Sequence, residues 1–375
     1  MKMKNLTAIA LTGMVCLSAC TPKYTVEGKW ADGAGKTVYL QKKVNDENKS
    51  ADSVVVAADG SFSFTLPTGI VDVYELSAAK EAKKDILVSD VPVVVTIESE
   101  LRTAKDSSTY EALSIKAVGD EQKVYEEGNN LTLMSAVMSF GRMLTFSNIL
   151  TGKDTSMTID SAAAYFDLMD AQINLSIRNF VDSAKNNYGV AYFIKDFMIQ
   201  NAPFDTVQAA YNILTDRVKQ SAPGLKLKDA VEALASVSVG GTAPDITLMT
   251  PDNKEFSLSS LRGHYVLLDF WASWCGPCLR EVPNVKAIYE KYHDKGFEIF
   301  GVSLDETAGP WKAAIKKNDM NWHHVSSLKG WECPVAKQYN VTGIPRMYII
   351  DPEGKIIAQD LRGEELANFV AGLYE

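Results

Sequence analysis

Tyr265-Val266-Leu267-Leu268-Asp269-Phe270-Trp271-Ala272-Ser273-Trp274-Cys275-Gly276-Pro277-Cys278 is the densest chemical signal in the chain. The apolar run from Tyr265 predicts a strand buried on both faces, ending just before a Cys-X-X-Cys, with a helix of about 15 residues beginning there. That order places Cys275 at a helix N-terminus, where unpaired N–H groups and the positive dipole end favour a thiolate over a thiol. Cys275 is therefore the expected nucleophile, since such a setting lowers a thiol from about 8.5 to about 7 or below. Cys278, three residues on, falls on the same helix face, within reach of a bridge and expected to be the more buried of the two. It is the expected resolving thiol: Cys275 attacks a substrate disulfide, and Cys278 releases the reduced substrate by closing the intramolecular bond. Pro277 suits the first helical turn, where a missing N–H costs nothing. Pro283 should kink the helix further along.

Asp269 interrupts the apolar strand. A carboxylate there costs free energy unless it is paired or protonated, and desolvation raises its pKa, so it is a candidate proton acceptor for a buried thiol. The competing reading is a structural Asp bonded to backbone.

Phe270-Trp271-Ala272-Ser273-Trp274-Cys275-Gly276-Pro277-Cys278 resembles the active-site signature of the thioredoxin superfamily, and Thr342-Gly343-Ile344-Pro345 before Arg346-Met347-Tyr348-Ile349-Ile350-Asp351 resembles its cis-proline strand. The resemblance implies a cis bond before Pro345, a Bond type almost confined to proline, in a loop that pairs with substrate backbone. It also implies proton transfer by Asp269 and substrate contacts from Trp274, Gly276, Pro277, Ile344 and Pro345. Ala243-Pro244-Asp245, Leu258-Ser259-Ser260-Leu261-Arg262-Gly263 and Cys278-Leu279-Arg280-Glu281-Val282-Pro283 resemble the TlpA/ResA-like thiol-disulfide oxidoreductases, whose glutamate at the place of Glu281 tunes the cysteines. No cofactor beyond the cysteine pair is expected.

Outward from this motif the texture changes twice. Residues 238–375 alternate strands and helical stretches, as in an α/β domain. Residues 121–237 carry apolar side chains at helical spacing, as in Ala162, Tyr165, Phe166, Met169 and Ile173, and predict four to six helices broken near Pro203 and at Pro223-Gly224. Residues 24–115 are short β-rich runs with turns such as Asp59-Gly60, which predicts a small antiparallel sandwich or barrel. This order resembles lipoproteins with a DUF4369-type β domain ahead of a TlpA-like one. The expected fold class is thus multidomain α+β: a small N-terminal antiparallel β domain, a central helical segment and a C-terminal α/β thioredoxin fold.

Residues 1–19 read as a signal peptide: Lys2 and Lys4 precede an apolar stretch too short to span about 30 Å of bilayer. Leu17-Ser18-Ala19-Cys20 resembles a lipobox, which implies acylation of Cys20 and a lipid-anchored, periplasm-facing protein in the cell envelope. Of five Cys, Cys16 leaves with the signal and Cys20 carries lipid, so Cys275, Cys278 and Cys333 remain, too few for a disulfide scaffold. Cys333, in Gly330-Trp331-Glu332-Cys333-Pro334, reads as a partly buried spectator thiol, with a regulatory or alternative resolving thiol as the competing reading. His323 and His324 are adjacent on a strand and point to opposite faces, so no metal site is expected.

The 375 residues carry a net charge of −9 with no long basic run, which excludes nucleic acid as a partner. Expected partners are protein disulfides, an upstream membrane electron donor and the membrane itself. The leading function is reduction of protein disulfides in the envelope, with cytochrome c maturation one candidate task. Two rival readings are weighed. An AhpC/TSA-type peroxidase needs a Thr where Ala272 stands, and a substrate-binding or chaperone lipoprotein would make the intact Trp-Cys-Gly-Pro-Cys incidental.

Overall fold

The computed structural model describes residues 24–375 apart from 45–46, 68, 70, 79–81, 104–108 and 154. The expected signal peptide with Cys16, and the expected lipidation site Cys20, lie outside the described residues. The chain divides into two compact units, one reaching Asn130 and adding Asn187–Gly189 and Ser221–Pro223, the other made of Leu131–Asn186, Val190–Gln220 and Gly224–Glu375.

Among its described residues the first unit carries eight strands, β1 (Tyr24–Trp30), β2 (Thr37–Val44), β3 (Glu47–Val55), β4 (Ser61–Leu66), β5 (Asp72–Ala78), β6 (Ala82–Val88), β7 (Val93–Thr103) and β8 (Thr109–Val118). They form two four-stranded sheets, ordered β4-β1-β7-β8 and β3-β2-β5-β6. Alternation sets which face is buried: in β4, Phe62, Phe64 and Leu66 point inward while Ser63 and Thr65 stay exposed. Val26, Trp30, Leu40, Phe64, Leu76, Ile86 and Val95 share one core. The expected antiparallel domain holds except that β1 pairs with β7 in parallel. The Asp59-Gly60 turn needs its glycine, because φ is +80° there and a Cβ would sit 2.8 Å from the Trp30 carbonyl oxygen.

The helical stretch comprises α1 (Asp120–Leu150), α2 (Ile159–Ser183), α3 (Tyr188–Phe193), α4 (Ile199–Asn201), α5 (Phe204–Ile213), α6 (Asp216–Lys219) and α7 (Ala222–Ser236). A π-helical turn, Ile194–Met198, joins α3 to α4, so 188–201 is one continuous helical run rather than separate helices. Pro203 caps α5 as the break expected there. Pro223 instead lies in the first turn of α7, where a missing N–H is tolerated. By length and composition α1 is apolar enough to cross a bilayer. In the second unit the Asn340 side chain donates to the carbonyl of Ile199 at 3.0 Å, tying α4 to the domain that follows.

That domain contains β9 (Thr247–Met249), β10 (Glu255–Ser257), β11 (Tyr265–Trp271), α8 (Gly276–Tyr292), β12 (Phe297–Ser303), α9 (Ala308–Lys317), β13 (His323–Ser326), α10 (Pro334–Gln338), β14 (Arg346–Ile350), β15 (Ile356–Gln359) and α11 (Gly363–Gly372). Its single sheet runs β10-β9-β13-β12-β11-β14-β15. β11, β12 and β13 are parallel and β14 is antiparallel to β11, which is the thioredoxin-like α/β arrangement. β11 lies in the interior of this sheet, and Val266, Leu267, Leu268, Phe270 and Trp271 are each at most 1% exposed, as a strand covered on both faces requires.

Candidate redox site

β11 delivers the chain to the site and α8 opens it. Trp271 ends the strand, Cys275 is the N-cap of α8, and Pro277 occupies the first turn. The sulfurs of Cys275 and Cys278 are joined as a disulfide with the Cα atoms 5.3 Å apart. Cys275 Sγ also accepts the backbone N–H of Cys278 at 3.1 Å, so an orphan amide of the helix start points at this sulfur. Cys278 is not the more buried of the pair: both residues are 4% exposed in the disulfide form, because each sulfur is covered by the other and by the helix start. Trp274 stands out beside them at 55% exposure, and Gly276 and Pro277 are exposed as well.

The cis-proline loop reaches the same end of the sheet. Phe270 is opposite Arg346 in the antiparallel β11/β14 register, so the next residue outward on one strand is Trp271 and on the other Pro345. The Ile344-Pro345 bond is cis, with Ile344 half-buried and Pro345 buried.

Asp269 sits opposite Met347 on one side and Gly301 on the other. It is 6% exposed, and Oδ1 has no hydrogen-bond partner among the described residues, which speaks against a structural Asp held by backbone on that oxygen. Burial pushes its carboxyl up to about 7, the Glu281 carboxylate adds to the rise, and the Arg362 guanidinium opposes it. Glu281 is half-buried, and its Oε1 accepts Asn284 Nδ2 at 2.7 Å and the backbone N–H of Gly363 at 2.7 Å. Asn284 Nδ2 also donates to the Gly363 carbonyl at 3.0 Å. Arg362 Nη2 donates to the Pro345 carbonyl at 2.6 Å.

Three contributors escaped the sequence reading. Asp305, 2% exposed just beyond β12, accepts the Ser273 N–H at 2.9 Å, the Ser273 hydroxyl at 2.5 Å and the Ser303 hydroxyl at 2.7 Å. It thereby holds the backbone one residue before Trp274. Trp331, 44% exposed, brings its ring to 6.3 Å from Trp274. Arg362 is the third. A Ser-Leu-Asp run, Ser303-Leu304-Asp305, at the end of an apolar strand is the one local hint of a buried polar cluster. Cys333 is a free thiol, fully buried in the core at the start of α10. His323 is half-exposed and His324 buried, on opposite faces of β13.

The family described as Redoxin matches residues 238–373, and a domain of unknown function, DUF4369, matches residues 24–133. Over 129 residues the chain is 35% identical to the thiol-disulfide oxidoreductase ResA of Bacillus thuringiensis subsp. konkukian, covering 34% of this chain and 72% of that protein. The ResA of Bacillus cereus matches over 129 residues at 35% identity with the same coverage, 34% and 72%. Among solved structures, the thioredoxin domain of a thiol-disulfide oxidoreductase from Bacteroides vulgatus is 38% identical, with 37% of this chain and 99% of that chain covered at a TM-score of 0.36.

Proposed function

We propose, on the premise that this chain belongs to the thioredoxin superfamily and is a thiol-disulfide oxidoreductase of the ResA-like kind, that Cys275 and Cys278 are its redox centre and reduce disulfides in protein substrates. The observation that carries the reading is the joined pair at the head of α8, with an orphan helix N–H directed at Cys275 Sγ.

The cycle runs in two exchanges. In the reduced form the Cys275 thiolate attacks one sulfur of a substrate disulfide; a Cys275–substrate bond forms and the other substrate sulfur leaves as thiolate. Asp269 takes the proton of the Cys278 thiol, and the Cys278 thiolate attacks Cys275 Sγ. The Cys275–Cys278 bond forms, the mixed disulfide breaks, and the substrate departs carrying both electrons. A Cys275 thiolate is favoured by the helix dipole and the amide hydrogen bond, which hold negative charge on that sulfur. In this reading Trp274, Gly276, Pro277, Ile344 and cis-Pro345 present the surface on which the substrate chain lies. Glu281 acts through its charge on Asp269.

Reduction is the favoured direction because Gly276-Pro277 is the dipeptide of thioredoxin, whose potential is about −270 mV, whereas a strong oxidant such as DsbA lies near about −120 mV. Equilibration of the protein in dithiothreitol and glutathione buffers tests this: a potential below about −220 mV supports a reductase, and one near that of DsbA overturns it. The lipobox-like Leu17-Ser18-Ala19-Cys20 supports acylation at Cys20, which would put the domain on the envelope membrane near a membrane electron donor. Deleting residues 24–237 tests whether the first two segments select substrates: reduction of small disulfides should survive, and reduction of a native partner should fall.

A further inference from the structure

Residues 362 and 363 join three parts of the site that are distant in sequence. The Gly363 amide donates to Glu281 on α8, the Gly363 carbonyl accepts from Asn284 one turn on, and the Arg362 guanidinium donates to the carbonyl of cis-Pro345. Two adjacent residues at the start of α11 therefore fasten the helix that carries the cysteines to the loop on which substrate backbone is expected to pair. Each fastening is a charge-assisted or amide hydrogen bond at 2.6–3.0 Å. The Arg362 guanidinium keeps further N–H donors beyond the one it gives to Pro345, and the residue is exposed, so it presents positive charge at the rim of the site.

We propose that Arg362 is a positioning residue for disulfide exchange: it fixes the cis-Pro345 loop against the α8 helix, and its charge sets how readily the buried carboxylate of Asp269 accepts the Cys278 proton. The inference rests on the proposed role of Asp269. The charged groups acting on that carboxylate are Glu281 from α8, which disfavours ionisation, and Arg362 from the α11 cap, which favours it. Arg346 on the adjoining strand is engaged by Asp360 and the Tyr348 hydroxyl. With Arg362 neutralised, Asp269 should hold its proton to higher pH and the resolving step should slow most in mildly acidic buffer. In that step the Cys278 proton passes to Asp269, the Cys275–Cys278 bond forms, and the Cys275–substrate bond breaks with the electron pair leaving on the substrate sulfur. Because Arg362 is exposed, salt should screen the effect.

The test is the rate at which a mixed disulfide resolves, measured between about pH 5.5 and 9 in the full chain with dithiothreitol as final reductant. Arg362→Gln should slow resolution roughly tenfold at pH 6 and about twofold at pH 8.5, with the gap at pH 6 narrowing in high salt. Arg362→Lys retains the charge and loses the planar fork, so it should slow the step about equally at every pH. An Arg362→Gln profile that overlies the wild-type one overturns the proposal, as does an equal loss at all pH values in both variants. Asp269→Asn is run in parallel. If it leaves the acid limb in place, the reading of Asp269 has failed; if it removes the limb while Arg362→Gln does not shift it, only the inference about Arg362 has failed.

Discussion

Asp269 lies buried in β11, an interior strand of the sheet, and the carboxylate of Glu281, one helix away, raises its proton affinity further. The pair is an unequal one. Glu281 Oε1 accepts from two N–H donors, Asn284 Nδ2 and Gly363 N. Asp269 Oδ1 has no donor among the described residues. The Asp269 carboxyl, pushed up to about 7, is the one placed to take and give a proton near neutrality.

The first consequence is a pH limb. Below about 7 Asp269 is protonated and cannot accept the Cys278 proton; above it the carboxylate is ready. Resolution of a mixed disulfide should therefore accelerate through pH 7 in the wild type. Asp269→Asn should lose this inflection and run about a hundredfold slower at pH 8, the lower end of the usual contribution of a general base. Stopped-flow tryptophan fluorescence across the range reads it, and an inflection retained in the variant contradicts the assignment.

The same shift has a stability counterpart of definite sign. The folded carboxyl binds its proton more tightly than the unfolded one, so stability contributed by the protonated form is fully present below the unfolded value of 3.8 and is lost as pH rises from there through about 7. Asp269→Asn removes that cost. In the oxidised protein its melting temperature should exceed that of the wild type by several degrees at pH 8 and approach it at pH 5. Calorimetry at the two pH values checks the trend, which would fail if the difference were the same at both.

Asp305 predicts a loss of order rather than of chemistry. Asp305→Ala leaves the Ser273 amide, the Ser273 hydroxyl and the Ser303 hydroxyl without their acceptor. The expected cost is about 2–3 kcal/mol of stability, with faster hydrogen exchange at Ser273 and Trp274 than elsewhere in the domain. Denaturant unfolding and amide exchange measure both parts; exchange that rises uniformly would deny Asp305 a local role.

Cys333 should be inert. It is fully buried, and no disulfide joins it to the pair. Cys333→Ala is expected to move the redox potential by less than about 10 mV, and the native thiol should resist alkylation until the domain unfolds. A changed potential, or rapid labelling of Cys333 in the folded protein, would show a third participant.

Much of this site is written locally in the sequence. An apolar run, a Cys-X-X-Cys and a Pro two residues after the first cysteine predict β11, the start of α8 and Cys275 as its cap, because each rests on contacts within a few residues. The partners that set the electrostatics are not local. Asp305 reaches Ser273 across 32 positions, and Gly363 reaches Glu281 across 82. Only strand order brings them together. The equal burial of Cys275 and Cys278 was likewise hidden, since the bond between the two sulfurs, not helix periodicity, covers both. In the first unit, alternation in β4 gives the buried face directly, whereas the parallel pairing of β1 with β7 depends on how two sheets close and leaves no periodic trace.

The most direct test of the central claim is to trap the exchange midway. A Cys278→Ser variant, reduced and then offered a disulfide-containing protein such as insulin, should accumulate a covalent adduct that peptide mass analysis places on Cys275 and that dithiothreitol releases. No adduct at Cys275, or one at Cys333 instead, would contradict the account.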